Sequence, residues 1–391
     1  MELNCRTGES INVTVTGTEK YWVITDQGKL LDTMCGNTAF IFGYGNDYIL
    51  DRMYQQQKAL SYLSAKHTEL CATNNDLIEK LCKEGNFVGV SYAISGTDGV
   101  ECAYAMNQLY WKLTDESKSK VITFSPGYHG STFLCRAFRS EEPLSDRVTV
   151  LDAPQWHTLS DRPAHEEETL SQVRRTLETD PHIGAVIMES IPWAMGIKPW
   201  SDQWWLDIRS LCTEYGVNLI IDDVMGGMGK LGRKFSHSRY GIQPDLVVLG
   251  KAFTGGYNPL SCVCASEKIS ETVKNHWTYG HTWQPNMGGV GAALASWDLI
   301  DSCNLVEIEE KLNLLGAHFV SQGLATEYVV VGLIFSMKLI TPITIDSYVQ
   351  NGLTGGPESK HSISLCAPAI ADEEYFEELK NRITNAIQNS Q

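Results

Sequence analysis

The sequence predicts an α/β fold that contains a largely parallel sheet. Two short apolar runs, residues 219–221 and 246–249, have the length and composition of buried strands. Each run leads within two residues to an ionisable side chain, Asp222 after the first and Lys251 after the second. Ligands bind at the carboxyl ends of strands in open parallel sheets, so these two side chains indicate a ligand site.

The remaining segments alternate between strand and helix patterns. Strands are predicted at 11–15, 21–25, 121–124, 184–189 and within 328–339. Amphipathic helices are predicted at 49–63, 102–113, 166–177, 202–215, 288–300, 306–324 and 373–387.

Composition restricts the class of protein. The 391 residues, of which 43% are hydrophobic and 20% charged, suffice for a large core and two lobes. A formal charge of −16 argues against nucleic acid or an anionic membrane as a partner. The N-terminus lacks the pattern of a signal peptide, and no apolar run has the length of a membrane span. The 11 dispersed cysteines are typical of reduced thiols in a cytoplasmic protein.

The pairing of Asp222 with Lys251 suits pyridoxal phosphate. This cofactor needs a lysine amine to hold its aldehyde as a Schiff base, and a carboxylate to keep its pyridine nitrogen protonated. The alternative is that Asp222 caps a turn and Lys251 is a solvated surface lysine.

The same stretch resembles the class III pyridoxal-phosphate-dependent aminotransferases, which belong to fold type I. The family's Asp-Glu-Val turn is present as 222–224 (Asp-Asp-Val), and its lysine loop as 250–256 (Gly-Lys-Ala-Phe-Thr-Gly-Gly). The resemblance implies a large domain with a mostly parallel seven-stranded sheet flanked by helices, and a small α+β domain built from both termini. We expect boundaries at 1–50, 51–299 and 300–391, with the cofactor in the middle segment.

A phosphate site is expected where a strand runs into a helix near residue 95. Free backbone N–H groups at a helix start attract anions, although an ordinary helix cap explains the same residues. The family binds the cofactor phosphate at a Ser-Gly-Ser/Thr motif, which is similar to Ser95, Gly96 and Thr97. Here Asp98 replaces the family's glutamate and Gly99 its alanine.

Other site residues follow from the resemblance alone. The aromatic residue of a Tyr-His-Gly turn stacks on the cofactor ring in the family, which assigns Tyr128, with Val224 on the opposite face. His129 is either a neighbour of the cofactor or a packed core side chain. In the family a threonine reaches the partner's phosphate across a homodimer interface, and Thr282 is the matching residue.

Other cofactor classes are rejected. Residues 227–232 satisfy GxGxxG, but two acids separate them from the preceding strand and no clear helix follows. Lys251 does not form a P-loop, because Ala252 follows it. No spacing of ligands indicates a metal site.

We therefore expect an aminotransferase that moves an amino group between an amine or amino acid and a keto or aldehyde acceptor. Residues 194–199 and 222–225 also resemble glutamate-1-semialdehyde aminomutase, so an aminomutase remains an alternative, and a silent scaffold is a third.

Recognition of the substrate is left open. Family members that bind α-carboxylates pair a second glutamate with an arginine of the C-terminal domain. Here that glutamate is Ala194, and the one arginine after residue 300 is Arg382, expected on the surface. Aromatic side chains or a different arginine are the remaining candidates: Tyr21, Trp22, Trp193, Trp200, Arg136 and Arg139.

Overall fold

A seven-stranded sheet forms the centre of the computed structural model, which describes residues 13–64, 70–139, 146–156, 158–192, 194–356 and 359–390. Its strand order is β4-β10-β9-β8-β7-β5-β6. The strands are β4 (Gly89–Ala93), β5 (Lys120–Ser125), β6 (Val148–Asp152), β7 (Ile183–Glu189), β8 (Asn218–Asp222), β9 (Leu246–Leu249) and β10 (Ser261–Ala265). Only β10 runs antiparallel to its neighbours, which confirms the mostly parallel sheet.

The middle strands place the ionisable residues at one edge. Every residue of β7, β8 and β9 is buried, because helices cover both faces of a parallel sheet. Asp222 lies opposite Glu189 of β7 and Val248 of β9 in the parallel register. The carboxyl ends of three adjacent strands therefore deliver Glu189, Asp222 and Lys251 to the same region.

Helices connect and cover the strands. In chain order they are α1 (Cys35–Thr38), α2 (Asp47–Ala59), α3 (Ala72–Gly85), α4 (Gly96–Thr114), α5 (Phe133–Ala137), α6 (Arg162–Thr179), α7 (Asp202–Glu214), α8 (Ser236–Tyr240), α9 (Glu267–Val273), α10 (Met287–Ser302), α11 (Leu305–Ser321), α12 (Ile345–Gln350) and α13 (Glu373–Gln388). Among these described helices, none is long and apolar enough to cross a membrane.

Two smaller sheets lie outside the central one. The first has the order β1-β2-β3-β13, from β1 (Val15–Glu19), β2 (Trp22–Thr25), β3 (Gly28–Asp32) and β13 (Leu353–Thr354). The second has the order β11-β12-β14, from β11 (Ala325–Val331), β12 (Ile334–Leu339) and β14 (Ser362–Cys366). Pairing of β13 with β3 joins the two ends of the chain in one sheet. The domain boundaries given above stay a prediction.

Several segments differ from, or clarify, the sequence patterns. Of the strand predicted at 11–15, residues 11 and 12 lie outside the described residues, and the first strand observed, β1, is Val15–Glu19. Helix α4 begins at Gly96, six residues before the amphipathic pattern does, because the Ser95 hydroxyl accepts a hydrogen bond from the Asp98 N–H and caps the helix. The GxGxxG segment forms consecutive turns from 224 to 231 and a bend at 232, with no helix, unlike a dinucleotide-binding loop.

Candidate active site

Asp222 and Lys251 lie together at the ends of β8 and β9. Asp222 is the last residue of β8 and its side chain is buried. Lys251 opens a 3₁₀ turn, Lys251–Thr254, two residues after the end of β9, with a φ of +51° that is uncommon outside glycine. Burial lowers the pKa of Lys251, while the charges of Asp222 and Glu189 act in the opposite direction. The amine is thus held among carboxylates and has a lowered pKa.

His129 is the hydrogen-bond partner of Asp222. Its Nδ1 lies 2.9 Å from Oδ2 of Asp222, and both side chains are buried. Its Nε2 lies 3.4 Å from the hydroxyl of Thr123. Burial lowers the pKa of His129, but the hydrogen bond to Asp222 and its negative charge outweigh this and leave the pKa raised. The imidazole therefore holds the Asp222 carboxylate in place, and that carboxylate favours the protonated form of His129.

The turn that carries Tyr128 is attached to the end of β7. The Tyr128 N–H donates a hydrogen bond of 2.9 Å to Oε2 of Glu189. The phenol lies 3.1 Å from the Ser131 hydroxyl, and the Arg139 guanidinium lies over the ring at 5.0 Å. Tyr128 is 44% exposed, so part of the residue is available to a bound molecule.

The start of α4 packs against the residues that follow β8 and β9. A methyl group added at Gly96 would lie 2.8 Å from Cγ1 of Val224, and one at Gly250 would lie 3.2 Å from the same atom. Thr97 contacts the histidine turn, since a methyl group at Gly130 would lie 2.5 Å from the Thr97 hydroxyl. The first N–H groups of α4 have no carbonyl partner within the helix, and that of Asp98 donates to the Ser95 hydroxyl.

Thr282 is not brought into contact with those residues. It lies exposed in the loop before α10, beside His281. Nε2 of His281 is 3.0 Å from Oδ2 of Asp98, and the Tyr279 hydroxyl donates to Oδ1 of Asp98 at 2.6 Å. The loop that carries Thr282 is thereby held against the start of α4 of its own chain.

Most of the aromatic residues suggested for substrate recognition belong to the core. Tyr21 donates to Asp372, and Trp200 is stacked on Trp204 and donates to the Glu189 carbonyl. Trp22 is buried beneath the guanidinium of Arg382. Trp193 lies outside the described residues.

Arg382 is also structural. Its Nε donates to Glu378 at 2.7 Å and its NH1 to the Gly352 carbonyl at 3.1 Å. These contacts hold it between α13 and the segment before β13, and not on a free surface as expected. Of the other two arginines considered, Arg136 is exposed and Arg139 covers the Tyr128 ring.

Two residues of the site have no role that the sequence predicts. The sequence is compatible with either of two environments for His129, and it indicates Glu189 only as an acid at a strand end. An aromatic-His-Gly turn after one strand and an acid at the end of another were the available signals. The partners are 93 and 61 residues distant in the chain, so only the fold shows them.

Comparisons with known proteins identify the family. The family model for class III aminotransferases matches residues 5–387. The chain is 28% identical over 328 residues to the adenosylmethionine-8-amino-7-oxononanoate aminotransferase of Synechococcus elongatus, covering 79% of this chain and 76% of that protein. It is 26% identical over 348 residues to the acetylornithine aminotransferase of Archaeoglobus fulgidus, covering 88% and 87%.

Solved structures share the fold. An amine transaminase from an uncultivated Pseudomonas species, in its PLP-bound form, superposes with a TM-score of 0.86 at 19% identity and covers 100% of this chain and 99% of that one. The omega transaminase of Pseudomonas jessenii in complex with PMP gives 0.86 at 21% identity, covering 97% and 92%. The chain therefore belongs to the class III aminotransferases, enzymes that transfer amino groups with pyridoxal phosphate as their cofactor.

Proposed function

We propose that this protein is an active aminotransferase in which Lys251 carries the cofactor covalently and Asp222 contacts the pyridine nitrogen. The observation that supports this most is the meeting of a half-buried lysine with a lowered pKa and a buried, histidine-bonded carboxylate at the ends of adjacent strands. A solvated surface lysine or a simple turn cap would not need this environment.

The residues present fit pyridoxal phosphate. Ser95, Gly96 and Thr97 would hold the phosphate at the start of α4, where helix N–H groups and the helix dipole favour an anion. Val224 would support one face of the ring and Tyr128 the other. The absence of a side chain at Gly96 and Gly250 is what allows Val224 to approach so closely.

Asp222 and His129 would act as one unit at the pyridine nitrogen. A carboxylate against the pyridine nitrogen would keep that nitrogen protonated, and the hydrogen bond with His129 would hold the carboxylate in place. Because both side chains are buried, water does not compete for these hydrogen bonds.

Lys251 would serve as the base. When bound, the cofactor supplies an electron sink for the bond that breaks at the substrate carbon. The free amine of Lys251 must be neutral to accept the proton from the substrate carbon. It would then donate that proton to the carbon on the other side of the substrate nitrogen. Burial lowers the pKa of Lys251, which favours the neutral form.

The same proposal includes a cytoplasmic homodimer with Thr282 at the neighbouring site. Exposed apolar side chains support a second copy as partner, because Trp283 beside Thr282 is 63% exposed. We expect sedimentation equilibrium to give twice the mass of the chain. A monomer that binds the cofactor with full affinity would contradict the role of Thr282.

Borohydride reduction tests the central assignment. We expect it to fix the cofactor on the peptide that contains Lys251, as seen by mass spectrometry. Lys251→Ala should fold, bind cofactor without covalent attachment and lose transamination, whereas the surface variant Lys274→Ala should behave like the parent. Cofactor fixed on another lysine, or full activity of Lys251→Ala, would refute the proposal. A screen of amine donors would then identify the substrates.

A further inference from the structure

Lys230 is a second buried lysine near the proposed active site, and the mechanism above gives it no role. It lies in the glycine-rich turns after β8, and its side chain is fully buried. Among the described residues its Nζ has no hydrogen-bond partner. A buried amine without a partner lowers the stability of a fold, and a methionine of similar size would avoid that cost. A group that costs stability in this way, close to an active site, is a candidate for a functional role.

The backbone of Lys230 is attached to the sheet of β11, β12 and β14. The Leu333 N–H donates to the Lys230 carbonyl at 2.8 Å, and the Ala367 N–H donates to the Leu333 carbonyl at 2.8 Å. Ala367 directly follows Cys366, the last residue of β14. The charge of Cys366 acts on both Lys230 and Lys251, so both amines lie near the end of this strand.

The turn that carries Lys230 also packs on the strand ends of the central sheet. A methyl group added at Gly227 would lie 2.7 Å from the Asp223 carbonyl and 2.7 Å from Cδ2 of Leu249. Asp223 directly follows β8, and Leu249 is the last residue of β9, two positions before Lys251. Lys230 and Lys251 therefore lie at the same strand ends, where the charge of Lys251 acts on Lys230.

Four titratable groups from four different elements face the Lys230 amine: Lys251 after β9, Asp223 after β8, Cys366 of β14 and Cys35 of α1. Burial lowers the pKa of Lys230 to about 7, and the charge of Lys251 contributes to this, whereas the ionised forms of the other three groups oppose it. Burial raises the pKa of Asp223 to about 6 and that of the Cys35 thiol well above its usual range. At and above neutral pH, Asp223 is therefore mostly ionised and Cys35 is neutral. The neighbouring charge that changes during the proposed reaction is that of Lys251.

Repulsion between two ammonium groups is reciprocal. Loss of the charge on one raises the proton affinity of the other, so such a pair binds its first proton more strongly than its second. Lys251 must be neutral to act as the base, and at that stage Lys230 loses its cationic neighbour. The carboxylates of Asp222 and Glu189, whose charges act on Lys251, and that of Asp223 then remain without it. A proton on Lys230 would supply the missing positive charge.

We propose that Lys230 is a positioning residue that takes up a proton when Lys251 becomes neutral, so that the two lysines together keep one positive charge at neutral pH. This inference rests on the proposed function, because it takes Lys251 to be the base. Nζ of Lys251 loses a proton to the solvent, Nζ of Lys230 gains one from it, and no other bond changes. The exchange favours the neutral form of Lys251, which is the form that accepts the proton of the substrate.

Urea unfolding of the full chain without cofactor, from about pH 7 to about pH 10.5, tests this coupling. The gain in stability of Lys230→Met over the parent measures the cost of the buried amine. Because the folded pKa of Lys230 lies below its unfolded value, this gain is largest below the folded pKa and is lost as the pH rises towards the unfolded pKa. In a Lys251→Met background the cationic neighbour is gone, so the gain should be smaller and should begin to fall about one pH unit higher.

Lys251→Arg is the matched control, because arginine keeps a positive charge at this position at every pH used. In that background the gain from Lys230→Met should begin to fall at the same pH as in the parent. The surface substitution Lys274→Met, which breaks a pair with Glu271, should also leave the profile unchanged. Lys251→Ala provides a second neutral background in case Lys251→Met does not fold. A fall that begins at the same pH in the neutral and the arginine backgrounds would overturn the inference.

The rate of amino transfer in a single turnover, with a donor from the screen above, is a second readout. For a coupling of about one pH unit, Lys230→Met should lower this rate about threefold near neutral pH, because less Lys251 is neutral. Parent and variant should converge above about pH 9, where Lys230 no longer carries a charge. A constant ratio of the two rates at all pH values would show a structural role only and contradict the inference.

The borohydride experiment separates the two proposals. Cofactor fixed on a lysine other than Lys251 would refute the proposed function, even where the unfolding profiles show that the two lysines are coupled. Equal unfolding profiles in all backgrounds, with the cofactor fixed on Lys251, would refute only the role of Lys230.

Discussion

Replacement of His129 by glutamine tests the support beneath the proposed cofactor site. The imidazole lies 2.9 Å from the Asp222 carboxylate, and both groups are buried. Glutamine removes the cation and shifts the donor, so the buried carboxylate loses its counter-charge. Breaking a buried ion pair from one side costs about 3–5 kcal/mol of unfolding free energy. We expect a loss of this size where His129 is protonated.

The loss should depend on pH. Burial lowers the pKa of His129, but Asp222 raises it more, so the folded value lies above the unfolded value of about 6.5. Stability from such a group is fully present below the unfolded pKa and is lost as the pH rises through the folded pKa. In alkaline solution a neutral imidazole still bonds to the carboxylate, which is worth about 1.5–3 kcal/mol. The difference between parent and His129→Gln should therefore shrink as the pH rises.

Urea unfolding of the cofactor-free protein, followed on both sides of the histidine titration, measures this difference. His182→Gln is the matched control, because His182 is exposed and its Nδ1 lies 2.9 Å from a backbone carbonyl, that of Ser117. We expect the control to change stability little at any pH. An equal loss for His129→Gln at all pH values would show that the imidazole does not change charge there. A loss no larger than that of the control would show that the contact does not stabilise the fold.

Three further substitutions test other contacts. Gly96→Ala places a methyl group 2.8 Å from Val224, so it should lower the free energy of unfolding by about 1–3 kcal/mol and weaken cofactor binding. Adding Val224→Ala to the same chain removes the clash and should restore part of the stability and part of the binding. Burial raises the pKa of Asp98, but hydrogen bonds from Tyr279, Ile94 and His281 outweigh this and leave the pKa lowered. Asp98→Asn should therefore destabilise the protein at neutral pH, and the difference in stability from the parent should vanish as the pH falls through the folded pKa. Asp146→Asn, at an exposed position, is the control. Burial lowers the pKa of Lys230 to about 7, and its ammonium has no hydrogen-bond partner among the described residues. The cost of burying the Lys230 ammonium is largest below the folded pKa, so Lys230→Met should stabilise the protein by about 1–4 kcal/mol at neutral pH and by more in acid. Lys234→Met, which breaks a 2.6 Å ion pair with Asp301, should instead destabilise the protein.

Local patterns were enough to predict the centre of the fold and the ends of its strands. The run 246–249 is a strand with the predicted bounds, and residues 219–221 lie inside β8. Because strand ends in a parallel sheet are adjacent, the closeness of Asp222 and Lys251 followed from two short motifs. The helix predicted from residue 102 begins at Gly96, since a serine cap, and not an apolar pattern, determines where α4 starts.

Contacts between distant segments were not predictable in the same way. Asp98 is bonded to Tyr279 and His281, about 180 positions later in the chain, and no local pattern relates them. The same holds for the contact of His129 with Asp222 and for that of Tyr128 with Glu189. For Tyr21, Trp22 and Trp200 the sequence gives only large aromatic side chains, and burial in the fold decides that they pack in the core. The secondary-structure propensity of a sequence describes one segment at a time, whereas the geometry of an active site depends on how distant segments are aligned in the fold.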